Sequence, residues 1–161
     1  MRKILPFTVI LLMGSLLSYG LVSHFLFCRV IVAGNSMTPT LKNADVYLLK
    51  RWVYLFNTPT TGDIVVLCDP VNVNGVAFAV KRIIATPHQM ITFSNGFVYI
   101  DNKKLIESYL PPDVYTYPYK AVRYYCANDE YFVLGDNRNN SADGREYGPV
   151  NVKEIIGKLN K

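Results

Sequence analysis

From Ile4 to Phe27 the chain carries no Asp, Glu, Lys or Arg, and everything else must be arranged around that run. A helix rises about 1.5 Å per residue, so a stretch of this length reaches across the roughly 30 Å hydrocarbon core of a bilayer. His24 is its one side chain that ionises near neutral pH, and near the end of the run it reaches the interface rather than serving as a buried group. A cleaved leader would share the basic start at Arg2 and Lys3, but its apolar part is shorter and ends in a small-x-small site. No such pair stands before Cys28, and bulky Phe27 argues against a lipoprotein site at Leu26-Phe27-Cys28. The sequence predicts a cytoplasmic tip and a retained transmembrane anchor over residues 1–28. Arg2 and Lys3 place its N-terminus in the cytoplasm and residues 29–161 outside it.

Beyond the anchor, short apolar or alternating runs are broken by turn residues, the pattern of a mainly β, antiparallel domain. Expected strands are Arg29–Ala33, Val46–Lys50, Ile64–Cys68, Val76–Ile84, Met90–Phe93, Phe97–Ile100, Tyr131–Leu134 and Glu154–Lys158. Turn signals stand between them at Thr61-Gly62-Asp63, Asp69-Pro70, Asn74-Gly75, Asn95-Gly96 and Asp101-Asn102. The segment Tyr109–Tyr125 mixes six tyrosines with Pro111, Pro112 and Pro118, too proline-rich for a central strand. It reads as a surface insertion covered by its own rings, or as an interfacial patch. The net charge of +5 is spread along the chain with no basic run or recognition helix, which points to anionic lipid and away from nucleic acid. Three cysteines without a C-x-x-C pair argue against metal, and leave Cys68 with Cys126 as one conceivable disulfide.

Three clusters carry chemistry. In Gly34-Asn35-Ser36-Met37-Thr38-Pro39-Thr40-Leu41 a serine stands between the apolar Val30–Ala33 and a proline-fixed turn, with Thr38-Pro39 in the order of an N-cap and first helical residue. Gly34 would admit a close backbone, and the Ser36 amide could face an oxyanion. Lys81 interrupts the apolar Val76–Ile84, where burial would lower its pKa enough to make a neutral base. Alternation sends Arg82 to the other face, so that one cation enters the core and the other stays wet. The third cluster, Gly135-Asp136-Asn137-Arg138-Asn139-Asn140-Ser141-Ala142-Asp143-Gly144-Arg145, follows an apolar strand. In it Asp143 can meet Arg145 in a tight turn, and Ser141 can bond a neutral amine. Taken singly, each cluster also fits an ordinary turn, an edge-strand lysine or a polar loop.

Read in order, Ser-Met-x-Pro-Thr-Leu, then Lys-Arg after an apolar strand, then Gly-Asp-Asn-Arg-x-x-Ser-x-Asp-x-Arg closely resembles the bacterial type I signal peptidases. The likeness extends to Gly62-Asp63-Ile64-Val65-Val66, Gly96–Lys103 and Glu107-Ser108-Tyr109-Leu110. It implies a membrane-anchored antiparallel β domain with a catalytic core over about 29–84 and 129–161, and a smaller inserted β part over about 85–128. By the same resemblance Ser36 is the nucleophile and Lys81 the general base of a Ser-Lys dyad. Ser141 orients the lysine, Asp143 and Arg145 support the site, and Met37 follows the nucleophile as expected. Val30, Val32, Ala33, Leu41, Ala79 and Val80 fall where the family builds its substrate channel. The activity implied is removal of signal peptides from exported preproteins at the cytoplasmic membrane, without a cofactor, with preprotein and lipid bilayer as partners.

Three positions depart from the family pattern. Gly34 stands where some members have a hydroxyl that assists the oxyanion, Gly144 where serine is usual, and Ala85-Thr86-Pro87-His88-Gln89 where a Gly-x-Pro-Gly-Asp turn is usual. None removes a catalytic atom, and His88 reads as a turn residue. A processing peptidase of a conjugation or pilus system would share these motifs, and a noncatalytic membrane-tethered β module is the alternative from another class. The apolar anchor in place of a DNA-binding domain excludes a repressor-type autoprotease.

Overall fold

The structure, a computed structural model, describes residues 4–70 and 78–160, and the side chains of these apart from 4–7 and 21–27. Arg2 and Lys3, the side chain of His24, the Asn74-Gly75 turn, and Val76 and Ala77 of the expected fourth strand lie outside the described residues. The first element, α1 (Ile4–Leu26), is a helix of 23 residues. From Thr8 to Gly20 its side chains are exposed, among them Leu11, Leu12, Leu16 and Leu17. Among the described residues no helix is long and apolar enough to cross a membrane. Within the expected tip and anchor over 1–28, the described residues form a helix from Ile4 to Leu26.

The helix gives way directly to β1 (Phe27–Ile31), two residues ahead of the expected Arg29–Ala33. The shift has a partner-imposed cause. β2 (Val46–Lys50) pairs with β1 from Phe27↔Lys50 to Ile31↔Val46, after which the Val32 amide donates to the Asp45 carbonyl at 2.9 Å in the connecting turn. The remaining strands are β3 (Ile64–Cys68), β4 (Phe78–Ala85), β5 (Met90–Ser94), β6 (Phe97–Ile100), β7 (Lys103–Lys104), β8 (Arg123–Tyr125), β9 (Glu130–Leu134), β10 (Val150–Asn151) and β11 (Ile155–Asn160). Two single-turn helices, α2 (Val53–Phe56) and α3 (Gly144–Tyr147), sit in connections. All pairings are antiparallel. One sheet runs β1-β2-β11-β3-β4-β9-β10 and a second, drawn from residues 90–125, runs β7-β6-β5-β8.

Two details of this topology place the site. β4 pairs with β3 over Phe78–Arg82 but with β9 only from Arg82 onward. The second edge of Phe78–Lys81 therefore has no strand partner among the described residues, and the same holds for the outer edge of β1. β9 is buried on both faces: Phe132 and Leu134 pack with Ile84, Ile91, Phe93 and Val98 between the two sheets, while Tyr131 and Val133 pack with Val65, Leu67 and Ile83 on the other side. The turns at Asn95-Gly96 and Asp101-Asn102 have both central residues at positive φ (50° and 79°, 49° and 66°), as two-residue hairpins require. His88 takes φ 68° in a turn where Gln89 Oε1 accepts from the Thr86 amide at 2.9 Å, so a side-chain bond serves where glycine was expected. The conceivable Cys68–Cys126 disulfide is not formed. Both are free thiols, and burial in the inter-sheet core pushes the Cys126 thiol up to about 12.

Candidate active site

Ser36 sits in a run of turns that leaves β1. The expected short helix at Thr38-Pro39 is replaced by turns with a cis peptide between those residues, and the Leu41 amide donates to the Met37 carbonyl at 3.0 Å. Met37 and Leu41, each 1% exposed, plug into the core beside Val32, Leu49 and Val66, so apolar burial pins the chain immediately after the serine. Gly34 holds φ +94°, and a Cβ built there meets nothing within 4 Å. The close backbone approach expected at Gly34 does not occur; the residue supplies a backbone conformation in which a hydroxyl-bearing residue would be strained. Its amide donates to Asn43 Oδ1 at 2.9 Å.

Lys81, 5% exposed, reaches Ser36 from β4: its Nζ stands 3.0 Å from Ser36 Oγ. Burial holds its pKa below the ordinary lysine value, against the opposing pull of the Asp143 and Asp69 carboxylates. Arg82 does not stay wet on the other face. It is 8% exposed because Asp136 takes its guanidinium at 2.8 and 2.6 Å, the Gly62 carbonyl accepts at 2.9 Å, and the Tyr109 ring lies 3.8 Å from its Cζ. A buried cation needs such compensation.

The loop after β9 closes on Ser36. Asn137 donates twice, from its amide to the Ser36 carbonyl at 2.9 Å and from Nδ2 to the Asn35 carbonyl at 3.0 Å. Gly135 is squeezed between: a Cβ there would lie 2.2 Å from Ser141 Oγ and 2.6 Å from the Ser36 carbonyl oxygen. Here, and not at Gly34, the absence of a side chain lets two backbones meet. Ser141 is thereby beside Ser36 across Gly135, but its buried Oγ has no hydrogen-bond partner, Lys81 included. Asp143 accepts from the Gly135 amide at 3.0 Å and from Arg145 Nε and Nη2 at 2.9 Å each. Gly144 is confined too: a Cβ would approach the Val133 carbonyl to 2.8 Å and the Phe132 ring to 2.9 Å, which accounts for glycine in place of the family's serine.

The Tyr109–Tyr125 segment and the residues just before it reach into this loop instead of covering only themselves. Glu107 forms an ion pair with Arg138, a side chain with no exposure, whose guanidinium also donates to Thr116 Oγ1 and, at 3.1 Å, to the Gly135 carbonyl. Tyr119 lays its ring 4.2 Å from the Arg145 Cζ and donates to the Arg138 carbonyl at 3.2 Å, while Tyr124 donates to the Arg145 carbonyl at 2.8 Å. Tyr115, Tyr117 and Tyr125 remain exposed. Sequence reasoning placed Glu107, Arg138 and Asn137 within motifs but gave none of them a role of its own. The signal available for the first two was their charge, which does not say which of several arginines and acids will meet.

A cleft of about 360 Å³ opens beside Ser36 and Lys81 between β1 and the unpaired part of β4. Val30, Val32, Ala33, Ala79 and Val80 line it together with Ser36, Met37 and Lys81. Leu41, expected among them, lies beneath the wall in the core. Ile31, Val66, Asp69 and Phe78 also line it and were not anticipated. Val66 could have been found from pairing, since it is the cross-strand partner of Val80 and shares its face.

The described parts of this chain have been met before. A family model described as "Signal peptidase, peptidase S26" matches residues 3–161. A probable signal peptidase I-1 of Synechocystis is 38% identical over 154 residues, covering 91% of this chain and 76% of that protein. Signal peptidase I S of Bacillus subtilis is 35% identical over 148 residues, 85% of this chain and 77% of that protein. The crystal structure of a signal peptidase I from Enterococcus faecalis has the same fold at TM-score 0.52 and 24% identity, covering 65% of this chain and 98% of the other. With a mainly antiparallel β architecture and a serine beside a buried lysine at one cleft, this chain belongs to the signal peptidase, peptidase S26, family of serine endopeptidases.

Proposed function

We propose that Ser36 and Lys81 are the catalytic dyad of a membrane-anchored endopeptidase that removes signal peptides from exported preproteins. The observation that carries this reading is the 3.0 Å approach of Lys81 Nζ to Ser36 Oγ with the lysine buried and its pKa lowered. As a neutral amine Lys81 takes the Ser36 proton while Oγ attacks the scissile carbonyl. It then returns that proton to the departing amine of the mature protein. Lys81 next takes a proton from water, whose oxygen attacks the acyl carbon; the lysine returns that proton to the departing Ser36 oxygen, and the signal peptide's new carboxyl group gives up its remaining proton to solvent. The Ser36 amide faces the oxyanion. Asp143 and Arg145 support the loop, and the orphaned Ser141 hydroxyl is the group available to bond Lys81 when substrate closes the site.

Substrate enters as an added strand between β1 and Phe78–Lys81, where both open edges offer backbone groups. The small side chains of Ala33 and Ala79 with Val30, Val32 and Val80 favour small residues near the cleaved bond. In this reading residues 29–84 and 129–161 form the catalytic core and 85–128 the insert, in line with the two sheets. The helix α1, apolar on all sides over its described part, inserts in the cytoplasmic membrane with the catalytic domain on its outer side. The full chain in detergent is expected to cleave a preprotein carrying Ala at −1 and −3 at the signal-peptide boundary. Ser36→Ala is expected to bind it without turnover; turnover by folded Ser36→Ala would refute the dyad.

A further inference from the structure

The oxyanion task assigned to the Ser36 amide needs that N–H to point into the cleft, and the turn around it contains no regular hydrogen-bond ladder to force the direction. Gly34, at φ +94°, leaves the chain before it free of side-chain constraint. The N–H of Ser36 belongs to the same peptide plane as the carbonyl of Asn35. A trans peptide is planar, with its C=O and N–H directed oppositely, so whatever holds the Asn35 oxygen also aims the Ser36 hydrogen. Two donors hold that oxygen: Asn137 Nδ2 at 3.0 Å and the Thr38 amide at 3.2 Å. Among the described residues the Ser36 N–H itself has no protein partner. The next carbonyl, that of Ser36, is taken by the Asn137 amide at 2.9 Å.

We infer that Asn137 is a positioning residue for the oxyanion: by gripping two successive carbonyls of the nucleophile turn, it rotates the Asn35–Ser36 peptide so that the Ser36 N–H meets the developing negative charge. The inference rests on the Ser36–Lys81 reading and adds to it a device carried by the loop after β9. Lys81 orients the hydroxyl; Asn137 orients the amide of the same residue. The Thr38 bond is longer and comes from within the turn that must be held, so it retains part of the orientation when Asn137 Nδ2 is lost. The side-chain bond is also accessible to water, which limits its strength.

The test uses the full chain in detergent with Asn137→Ala and the isosteric Asn137→Asp, which keeps the backbone bond to Ser36 and replaces the side-chain donor with an acceptor. Both are expected to lower kcat on the order of 10- to 100-fold, less than the roughly 10²- to 10³-fold loss on deleting an oxyanion donor. KM and the pH at which activity rises should stay unchanged, because neither the cleft walls nor Lys81 is touched. A peptide aldehyde with Ala at its C-terminal position separates positioning from mere support. Ser36 Oγ adds to its carbonyl carbon and the hydroxyl proton ends on the aldehyde oxygen, which occupies the oxyanion site. Its affinity should fall by the same factor as kcat, while the matching peptide alcohol binds within about two-fold of wild type. Unchanged kcat in folded Asn137→Asp, or equal weakening of aldehyde and alcohol, overturns the inference. Ser36→Ala in the same series keeps the cases apart, since loss of its turnover with normal Asn137 variants sinks the inference alone.

Discussion

Replacing Gly135 with alanine tests the packing of the nucleophile loop with a single carbon. The added Cβ would stand 2.6 Å from the Ser36 carbonyl oxygen, 2.6 Å from Ser141 Cβ and 2.2 Å from Ser141 Oγ. Carbon and oxygen settle at roughly 3.2 to 3.5 Å, so the Ser36 backbone must retreat by about 0.6 Å or more, and the Ser141 side chain by about 1 Å. Neither movement is free. The Ser36 carbonyl is tied to the Asn137 amide at 2.9 Å, and Met37 beside it is locked in the core at 1% exposure. Overpacking of this kind costs about 1–3 kcal/mol of stability. The catalytic effect is larger, because the displaced backbone carries the Ser36 Oγ that stands 3.0 Å from Lys81 Nζ. A misplacement approaching 1 Å lowers kcat on the order of 10²-fold, and KM changes little because β1 and β4 form the cleft walls. The assay is steady-state cleavage of a preprotein beside a denaturant midpoint for the same preparation. A folded Gly135→Ala enzyme with kcat within about two-fold of wild type would refute the argument that close backbone approach at Gly135 sets the nucleophile.

With Lys81 as the proposed base, activity is expected to rise with pH through a value below the ordinary lysine pKa of 10.5, since only the neutral amine accepts the serine proton. In that same window the unfolded chain holds the proton more readily, so the lysine's contribution to stability increases as pH rises and is lost on acidification through the folded value. Folded Lys81→Arg should be inactive, guanidinium staying charged throughout, and Lys81→Met should flatten the pH slope of the denaturant midpoint; an active Lys81→Arg removes the base. Glu107→Ala strands the Arg138 guanidinium, whose side chain has no exposure, and should cost about 3 kcal/mol. A change below about 0.5 kcal/mol in denaturation would mean that this pair does not hold the insert to the catalytic loop.

The strands most legible in the sequence were those whose alternation and turn residues agree locally: Val46–Lys50, Ile64–Cys68 and Phe97–Ile100 need no distant partner to be recognised. Three motifs far apart in the chain also singled out Ser36, Lys81 and the loop from Gly135 to Arg145, which the fold brings together. Local pattern did less well wherever a partner from elsewhere decides. β1 is displaced toward its N-terminus by the length of β2, and Thr38-Pro39 stays a turn because Met37 and Leu41 are drawn into the core. Arg82 is buried because Tyr109 and Asp136 arrive from two separate later segments to receive it. The two glycines show the division most sharply. Gly34 and Gly135 look alike as letters, but one serves a positive φ and the other a contact with a backbone 99 residues earlier in the chain, since its Cβ would strike the Ser36 carbonyl. Residue type and spacing are properties of the chain and can be read along it. Which carbonyl a side chain meets is settled only when the sheets pack, since burial makes every polar group depend on a partner that local sequence does not name.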